Sequence, residues 1–322
     1  MVNSPRDGLN AIGQYHEVGG WGRAVALPFR AAFIGFVTLM SGTTASGTPL
    51  PRSIDPAGFG KPTFEETWQK LDAGTDQVRP SVPHRWRTVL GHGSATSVFN
   101  RKGSDASQYV DKDFPGVENG KLGSTPLGLD PFELTPGSHV TIKGMPAPAD
   151  LKPKLFGASY VGGVLTTRFS FSQLFGYFEI SARLPTGKGI WPAWWLMPIS
   201  GQWPQNGELD ILEGLGASNE IYCSVHSSAL PGKQLSQKVT LPFDVSSGWH
   251  RYGVAWSADE IVWYVDRQEV HRVATPADMK QVPMYLLLNV AVGGSWGGYP
   301  DASTRFPARF DIQRVTVWKL PG

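Results

Sequence analysis

The chain has 322 residues, a net charge of +2 and only 17 % charged side chains, so no strong field argues for nucleic acid or anionic lipid as a partner. Its single cysteine, Cys223, excludes an intramolecular disulfide and any metal site built on several thiolates. With 38 glycines and 26 prolines, about 12 % and 8 % against the usual ~7 % and ~5 %, the chain reads as many short strands joined by turns.

From the N terminus, the first feature is a short apolar run, Ala31 to Met40, with Arg23 and Arg30 before it and the small residues Ser41 to Gly47 after it. Basic, apolar and small segments in that order are the pattern of a secretory signal, and the apolar run is too short to span a bilayer as a helix. Thirty residues make a long basic region, so the alternatives are a true start further along the chain or a simple extension. Residues 1–47 are therefore set apart as an N-terminal extension with a signal peptide, and 48–322 as one catalytic domain. Export would place the protein outside a bacterial cell or in its periplasm, with mature material beginning near Ala45 to Thr48 and no membrane association after processing.

Only short helical stretches are expected, for example around Phe64 to Leu71 or Pro276 to Met279. From Tyr177 onward the apolar residues alternate: Phe178, Ile180, Ala182 and Leu184 point one way, Glu179, Ser181 and Arg183 the other, which predicts a half-buried strand. Pro185 to Gly189 turns the chain, and Ile190 to Met197 follows as an aromatic strand with Pro192 near its start. On that strand Trp191 and Trp195 share one face and Trp194 takes the other. Further strands are predicted at Glu220 to His226, Trp249 to Trp256, Ile261 to Val265, Gln268 to Val273, Met284 to Val292 and Phe310 to Leu320. Asp266 and Arg267 join two of them, and because Asp-Gly is the easier two-residue turn, a longer or bulged connection is expected. Cys223, inside a strand, reads as a buried, inert thiol. The sum is an all-β fold, an antiparallel β-sandwich of jelly-roll (concanavalin-like) type with a concave substrate cleft.

The segment Gly207 to Glu213 (GELDILE) puts three carboxylates, Glu208, Asp210 and Glu213, into six residues with no Lys or Arg among them. Crowding carboxylates in a partly dehydrated cleft pushes their pKa values apart, so that one ionises while another keeps its proton near neutral pH. Cleavage of a glycosidic bond needs that division: a carboxylate nucleophile and a carboxylic acid that protonates the leaving oxygen. The bland alternative is a solvated acidic strand or a loose divalent-ion site. Side chains at i and i+2 share a face of a strand, so Glu208 and Asp210 look the same way and Glu213 looks the other. One extra residue at Ile211 or Leu212, a β-bulge, would bring Glu213 round to join them. Glu208 is then the nucleophile, Asp210 its proton-sharing assistant and Glu213 the acid/base. Trp191, Trp195 and Trp203 before the triad, and Trp296 after it, offer flat faces to sugar rings, and His226 ends a neighbouring strand.

The stretch Trp203 to Gly216 (WPQNGELDILEGLG) closely resembles glycoside hydrolase family 16, the laminarinase and lichenase group, whose signature in bulge-bearing members is E-x-D-x-x-E. Ser159 to Pro198, CSVHS around His226, Trp249 to Asp266 and Leu286 to Asp301 follow in family order. Within the family, the wording ELDILEGLG and ATPADM is most similar to bacterial enzymes that trim exopolysaccharides such as succinoglycan. The resemblance implies a jelly roll, an endo-acting retaining β-glycanase, the three roles above, and a cleft lined by Trp191, Trp195, His226, Asn289 and Trp296. The implied substrate is a glucan or bacterial exopolysaccharide with β-1,3 or β-1,4 linkages, handled by a monomer without a cofactor. A structural calcium, present in some family members, is left open. Residues Ser81 to Lys121 match poorly, which leaves the substrate's identity open. Two other readings stand beside hydrolysis: transglycosylation on the same substrates, and carbohydrate binding without catalysis, against which the retention of all three carboxylates argues.

Overall fold

The computed structural model describes residues 49–74, 84–90 and 105–321. The candidate signal, Ala31 to Met40, lies outside them. Two sheets face one another. In the front sheet the strands run in the order Gln234–Thr240, Glu220–His226, Glu208–Glu213, Ile190–Pro198, Met284–Val292, Val164–Thr166, Trp86–Arg87, Ala73–Gly74. In the back sheet the order is Gln268–Ala274, Glu260–Val265, His250–Trp256, Gly176–Arg183, Ala308–Trp318, His139–Pro146, Tyr160–Gly162, Ser107–Tyr109, with Phe64–Glu66 and Phe132–Thr135 pairing off that path. Four single-turn 3-10 segments complete the helical content of the described residues, and none is long and apolar enough to cross a membrane.

Period-two alternation explains why the sheets pack. Ile190, Trp194 and Leu196 of the front sheet meet Phe178, Ile180 and Ala182 of the back sheet in one continuous core. Each large apolar side chain buried there stabilises the fold by about 1.5–3 kcal/mol. Cys223 is part of this core, as its strand position implied, and burial pushes its thiol far above the ordinary range. It is an inert packing group.

Several local expectations are corrected. Phe64–Glu66 is a strand rather than the start of a helix: it adds to the back sheet opposite Val315 to Val317, and Phe64 packs edge-on against Trp86 at 5.7 Å. Sheet pairing and burial override the helical pattern. Asp266 and Arg267 form a tight two-residue turn, both with positive φ (47° and 66°), between the paired residues Val265 and Gln268. Side-chain contacts offset the strain of two non-glycine residues there. Asp266 accepts from the Arg251 N–H and pairs with His250, both at 2.8 Å, while Arg267 grips Glu179. The expected bulge sits instead inside the hairpin, where the register slips between Trp263 and Tyr264. Two strand pairs are parallel, Ala73–Gly74 with Trp86–Arg87 and Ser107–Tyr109 with Tyr160–Gly162. Finally, the outer face of Gly176–Arg183 is only partly solvated. Leu50, Ile54 and Phe59 lie over Tyr177, Tyr264 and Trp318, and Glu179 is buried beside them.

Candidate active site

The three carboxylates share a face because the strand Glu208–Glu213 carries one extra residue. Toward Glu220–His226, Asp210 stands opposite Ser224 and Glu213 opposite Tyr222, so three steps on one strand match two on the other. Toward Ile190–Pro198, Trp195 faces Asp210 and Trp194 faces Leu212, which identifies Ile211 as the residue without a partner. The sequence supplies the force. Ile211 and Leu212 are adjacent and apolar, and both are fully buried. A regular strand would expose one of them at a cost of about 1.5–3 kcal/mol, more than the ~1 kcal/mol of one disturbed ladder bond. Two core side chains reach the backbone at the slip: Trp263 Nε1 donates to the Asp210 carbonyl at 2.9 Å, and the Cys223 thiol to the Ile211 carbonyl at 3.5 Å.

The entry to the strand is equally constrained. Gly207 has φ +82°, and a Cβ there would lie 2.4 Å from Met279 Cγ. Only glycine admits this packing, and it sets the direction in which Glu208 leaves the turn.

Aromatic N–H groups then aim at the acids. Trp191 Nε1 donates to Glu213 Oε1 at 3.0 Å, and Trp203 Nε1 donates to Glu208 Oε2. His226, paired in register with Glu208, places Nε2 3.3 Å from Asp210 Oδ2, and its ring lies 5.6 Å from that of Trp203. Trp296 packs edge-on against both Trp191 and Tyr222 at 5.1 Å. Trp203 and Trp296 remain 46 % and 41 % exposed, enough open ring for a sugar to stack on. Trp195 is held differently: its Nε1 donates to Asn289 Oδ1 at 2.7 Å, and Asn289 Nδ2 donates to the Tyr109 hydroxyl at 3.1 Å. Glu208, Asp210, Glu213, Trp191, Trp203, His226 and Trp296 thus form one neighbourhood, while Trp195, opposite Asp210 in register, and Asn289 form a separate hydrogen-bonded pair. Trp194, on the opposite face, is core.

Sequence reasoning missed Tyr109, Tyr222, Trp263 and Met279. Tyr222 was within reach, since period two puts it on the face of His226 and opposite Glu213. The other three arrive from remote segments and carry no local signal.

Electrostatically the cluster stands almost alone, since the charges acting on it are its own and that of His226. Burial, and then the neighbouring Asp210, pushes Glu208 up to about 8. Burial raises Asp210 to about 7, against a hydrogen bond from Glu208 that favours its ionised form. Burial, followed by the charges of Asp210 and Glu208, holds Glu213 well above the carboxylate range. The physical content is that three acids in one dehydrated pocket cannot all ionise. Near neutral pH the site holds protons, one of them shared between Glu208 and Asp210, and a shared proton makes the titration a property of the pair. Oxygens of Glu208 and Asp210 and a ring nitrogen of His226 also lie within 4.8 Å of one another, a group that could hold a metal ion.

Comparison with known proteins adds to this geometry. Residues 137–314 match the family model described as glycosyl hydrolases family 16. Two enzymes of Rhizobium meliloti (strain 1021) are similar: the endo-1,3-1,4-beta-glycanase ExsH, 42 % identical over 52 % of this chain and 36 % of its own length, and EglC, 43 % identical over 59 % and 40 %. The match thus spans well under half of either enzyme. Among solved structures, the laminarinase catalytic domain of Thermotoga maritima superimposes with a TM-score of 0.63 at 26 % identity, covering 81 % of this chain and 99 % of that one.

Proposed function

Because the chain belongs to glycosyl hydrolase family 16, we propose that it is an endo-acting, retaining β-glycanase that cuts internal β-1,3 or β-1,4 linkages of a glucan or bacterial exopolysaccharide. The observation that carries the reading is the bulge at Ile211, which gives Glu208, Asp210 and Glu213 one common face.

The chemistry follows from the neighbours of each acid. In the free site the shared proton rests between Glu208 and Asp210. Moving it fully onto Asp210 frees Glu208 as a carboxylate with no net change of charge, so the step avoids a desolvation cost. Glu208 attacks the anomeric carbon as the glycosidic C–O bond breaks, and Glu213, protonated because of its burial, gives its proton to the leaving oxygen. Bonding to the sugar removes the Glu208 charge and Glu213 is now ionised. Glu213 takes a proton from water, the water oxygen attacks the anomeric carbon, and the ester to Glu208 is released. Trp191 and Trp203 donate to Glu213 and Glu208 throughout and fix where the two carboxyl groups point. Trp296 and Trp203 offer sugar platforms on either side.

Export accompanies this reading, since the substrate class is extracellular and the basic-apolar-small pattern stands at residues 23–47. Sequencing the N terminus of secreted material tests it, an intact Met1 being the adverse result. The chain acts as a monomer in this scheme, which size-exclusion chromatography with light scattering checks. For the reaction itself, the protein is incubated with soluble β-glucans and bacterial exopolysaccharides, and chain length and the first-released anomer are followed by NMR. Internal cleavage with retention of the β configuration is expected. Net inversion would refute Glu208 as a covalent nucleophile, and binding without cleavage of any substrate would sink the enzyme reading in favour of a carbohydrate-binding protein.

A further inference from the structure

The back sheet carries its own built pocket, on the face turned away from the three carboxylates. A cavity of about 320 Å³ is lined by Thr67, Ser181, Arg251, Arg267, Gln313 and Arg314, with Glu179 and Thr316 among its other walls. A bulge shapes it: Ser181 pairs with Arg314 and Ala182 with Ile312, so Gln313 is an extra residue in the strand Ala308–Trp318.

A count of donors and acceptors defines what fits. The one carboxylate in the wall, Glu179, is already engaged: Arg267 donates to both its oxygens, at 2.9 and 3.1 Å, and the Tyr177 hydroxyl donates to Oε2 at 2.7 Å. Gln313 Oε1 is likewise taken, accepting from Ser181 Oγ at 2.9 Å, which leaves the amide NH₂ as its free end. Arg314 reaches Glu65 only at 3.5 Å, with both side chains about half exposed, a weak pair that readily exchanges its partner. Arg251 is exposed and, among the described residues, its guanidinium enters no ion pair. Three guanidinium groups and one carboxylate line the wall, while Asp55 and Glu65 reach Arg267 and Arg314 from its margin only at 3.7 and 3.5 Å. With the Glu179 carboxylate and Gln313 Oε1 both engaged, the guanidinium groups of Arg251 and Arg314 and the Gln313 amide are the groups best placed to take a new partner, so the complementary ligand is negatively charged and rich in acceptors.

We propose that this cavity is a binding site for an oxyanion, namely a carboxylate or sulfate group, carried on an acidic sugar chain, with Arg251, Arg314 and the Gln313 amide as the donors. Forked guanidinium groups match such ligands through paired N–H bonds. The site lies on the sheet opposite the glycosidic chemistry, so it would hold a charged polysaccharide without occupying the cleft, and its existence does not depend on the reaction proposed above.

The test uses the full chain, with binding followed by isothermal titration calorimetry at low salt and three probes: trigalacturonate, inorganic sulfate and neutral laminaritriose. Trigalacturonate is expected to bind saturably, with affinity reduced at least tenfold in the Arg251→Ala/Arg314→Ala double variant and severalfold in Gln313→Ala. Cleavage of neutral β-glucan and the thermal midpoint should stay unchanged in all of these. Arg309→Ala removes an arginine of the same sheet that is already paired twice with Glu133 and is expected to bind as wild type does. Sulfate binding as tightly as trigalacturonate, and lost in the same variants, would keep the oxyanion site and assign it to small anions. Absence of saturable binding, laminaritriose binding equally well, binding unaffected by the double variant, or an equal loss in Arg309→Ala would each overturn the proposal.

Discussion

The two outer faces of the sandwich use the same ingredient, carboxylates on paired strands, to opposite ends. On the front face, among the described residues, the charges acting on Glu208 and Glu213 are those of the cluster itself and of His226, indole N–H groups donate to the two glutamates, and all three acids are driven toward the protonated form. On the back face almost every acid has an arginine. Arg309 holds Glu133 below the ordinary carboxylate range, and Arg272 does the same for Glu269. Glu179, buried like Asp210, is clamped by Arg267. The difference shows that burial alone does not make a carboxylate reactive. What matters is whether the fold supplies a cation with it. The front face withholds one, and the result is a set of groups with protons to give and take near neutral pH.

The sharpest way to break this contrast is to remove a front acid. Glu208→Gln and Glu213→Gln should each lower kcat on a soluble β-glucan by about 10⁴-fold or more, since groups that act as a unit fail together, with unchanged far-UV circular dichroism. A loss below about tenfold would take the cluster out of the chemistry.

Next comes pH. The front carboxyls have folded pKa values above their unfolded ones, so the stability linked to them is fully present below about pH 4 and is lost as pH rises through their raised values, toward about 8 for Glu208. The back-face acids run the other way, their contribution being present above the unfolded pKa and lost as pH falls below about 4. Glu208→Gln removes a charge that is costly to bury, so its unfolding free energy should gain on wild type between pH 5 and pH 9, by up to about a few kcal/mol. A gap that stays constant with pH would contradict the raised pKa.

Third in size is Glu179→Gln, which leaves Arg267 without its buried partner. Breaking such a pair costs about 3–5 kcal/mol, and the lower end applies because the guanidinium is 31 % exposed. Chemical denaturation should register the loss while kcat on a neutral glucan holds. A collapse in kcat would mean that the two faces are coupled. Smaller still, Trp191→Phe deletes the N–H to Glu213, worth about 1.5–3 kcal/mol for a charged acceptor. kcat/KM should fall roughly tenfold to a hundredfold, and the alkaline limb of the pH profile should move up, because that N–H lowers the Glu213 pKa. At the bottom of the scale Arg309→Ala, a half-exposed pair, should change stability by less than about 1 kcal/mol.

Much of the front face was legible in GELDILE. The three acids announce a cluster, and the adjacent Ile211 and Leu212 force the phase shift that brings Glu213 round, because both must be buried. Alternation likewise separated Trp191 and Trp195 from Trp194. Where local pattern competed with sheet pairing it misled: Phe64 to Leu71 has helical spacing, yet Phe64–Glu66 pairs with the strand that ends the chain, and no window around it contains that partner. The Asp266-Arg267 turn is similar, its strain being offset by His250, Arg251 and Glu179 from other strands.

By itself the sequence determined the period of each strand, the apolar faces that close the core and the identity of the acids, because these depend on residues within a few positions of one another. Tertiary structure alone decided which carboxylates would be left without a cation. Arg267, Arg272 and Arg309 reach acids that include partners 88 and 176 residues away, and Trp263 reaches 53 residues back to the Asp210 carbonyl beside the bulge. A carboxylate's pKa is set by what stands within a few ångströms of it, and in a sandwich of crossing strands those neighbours come from anywhere in the chain.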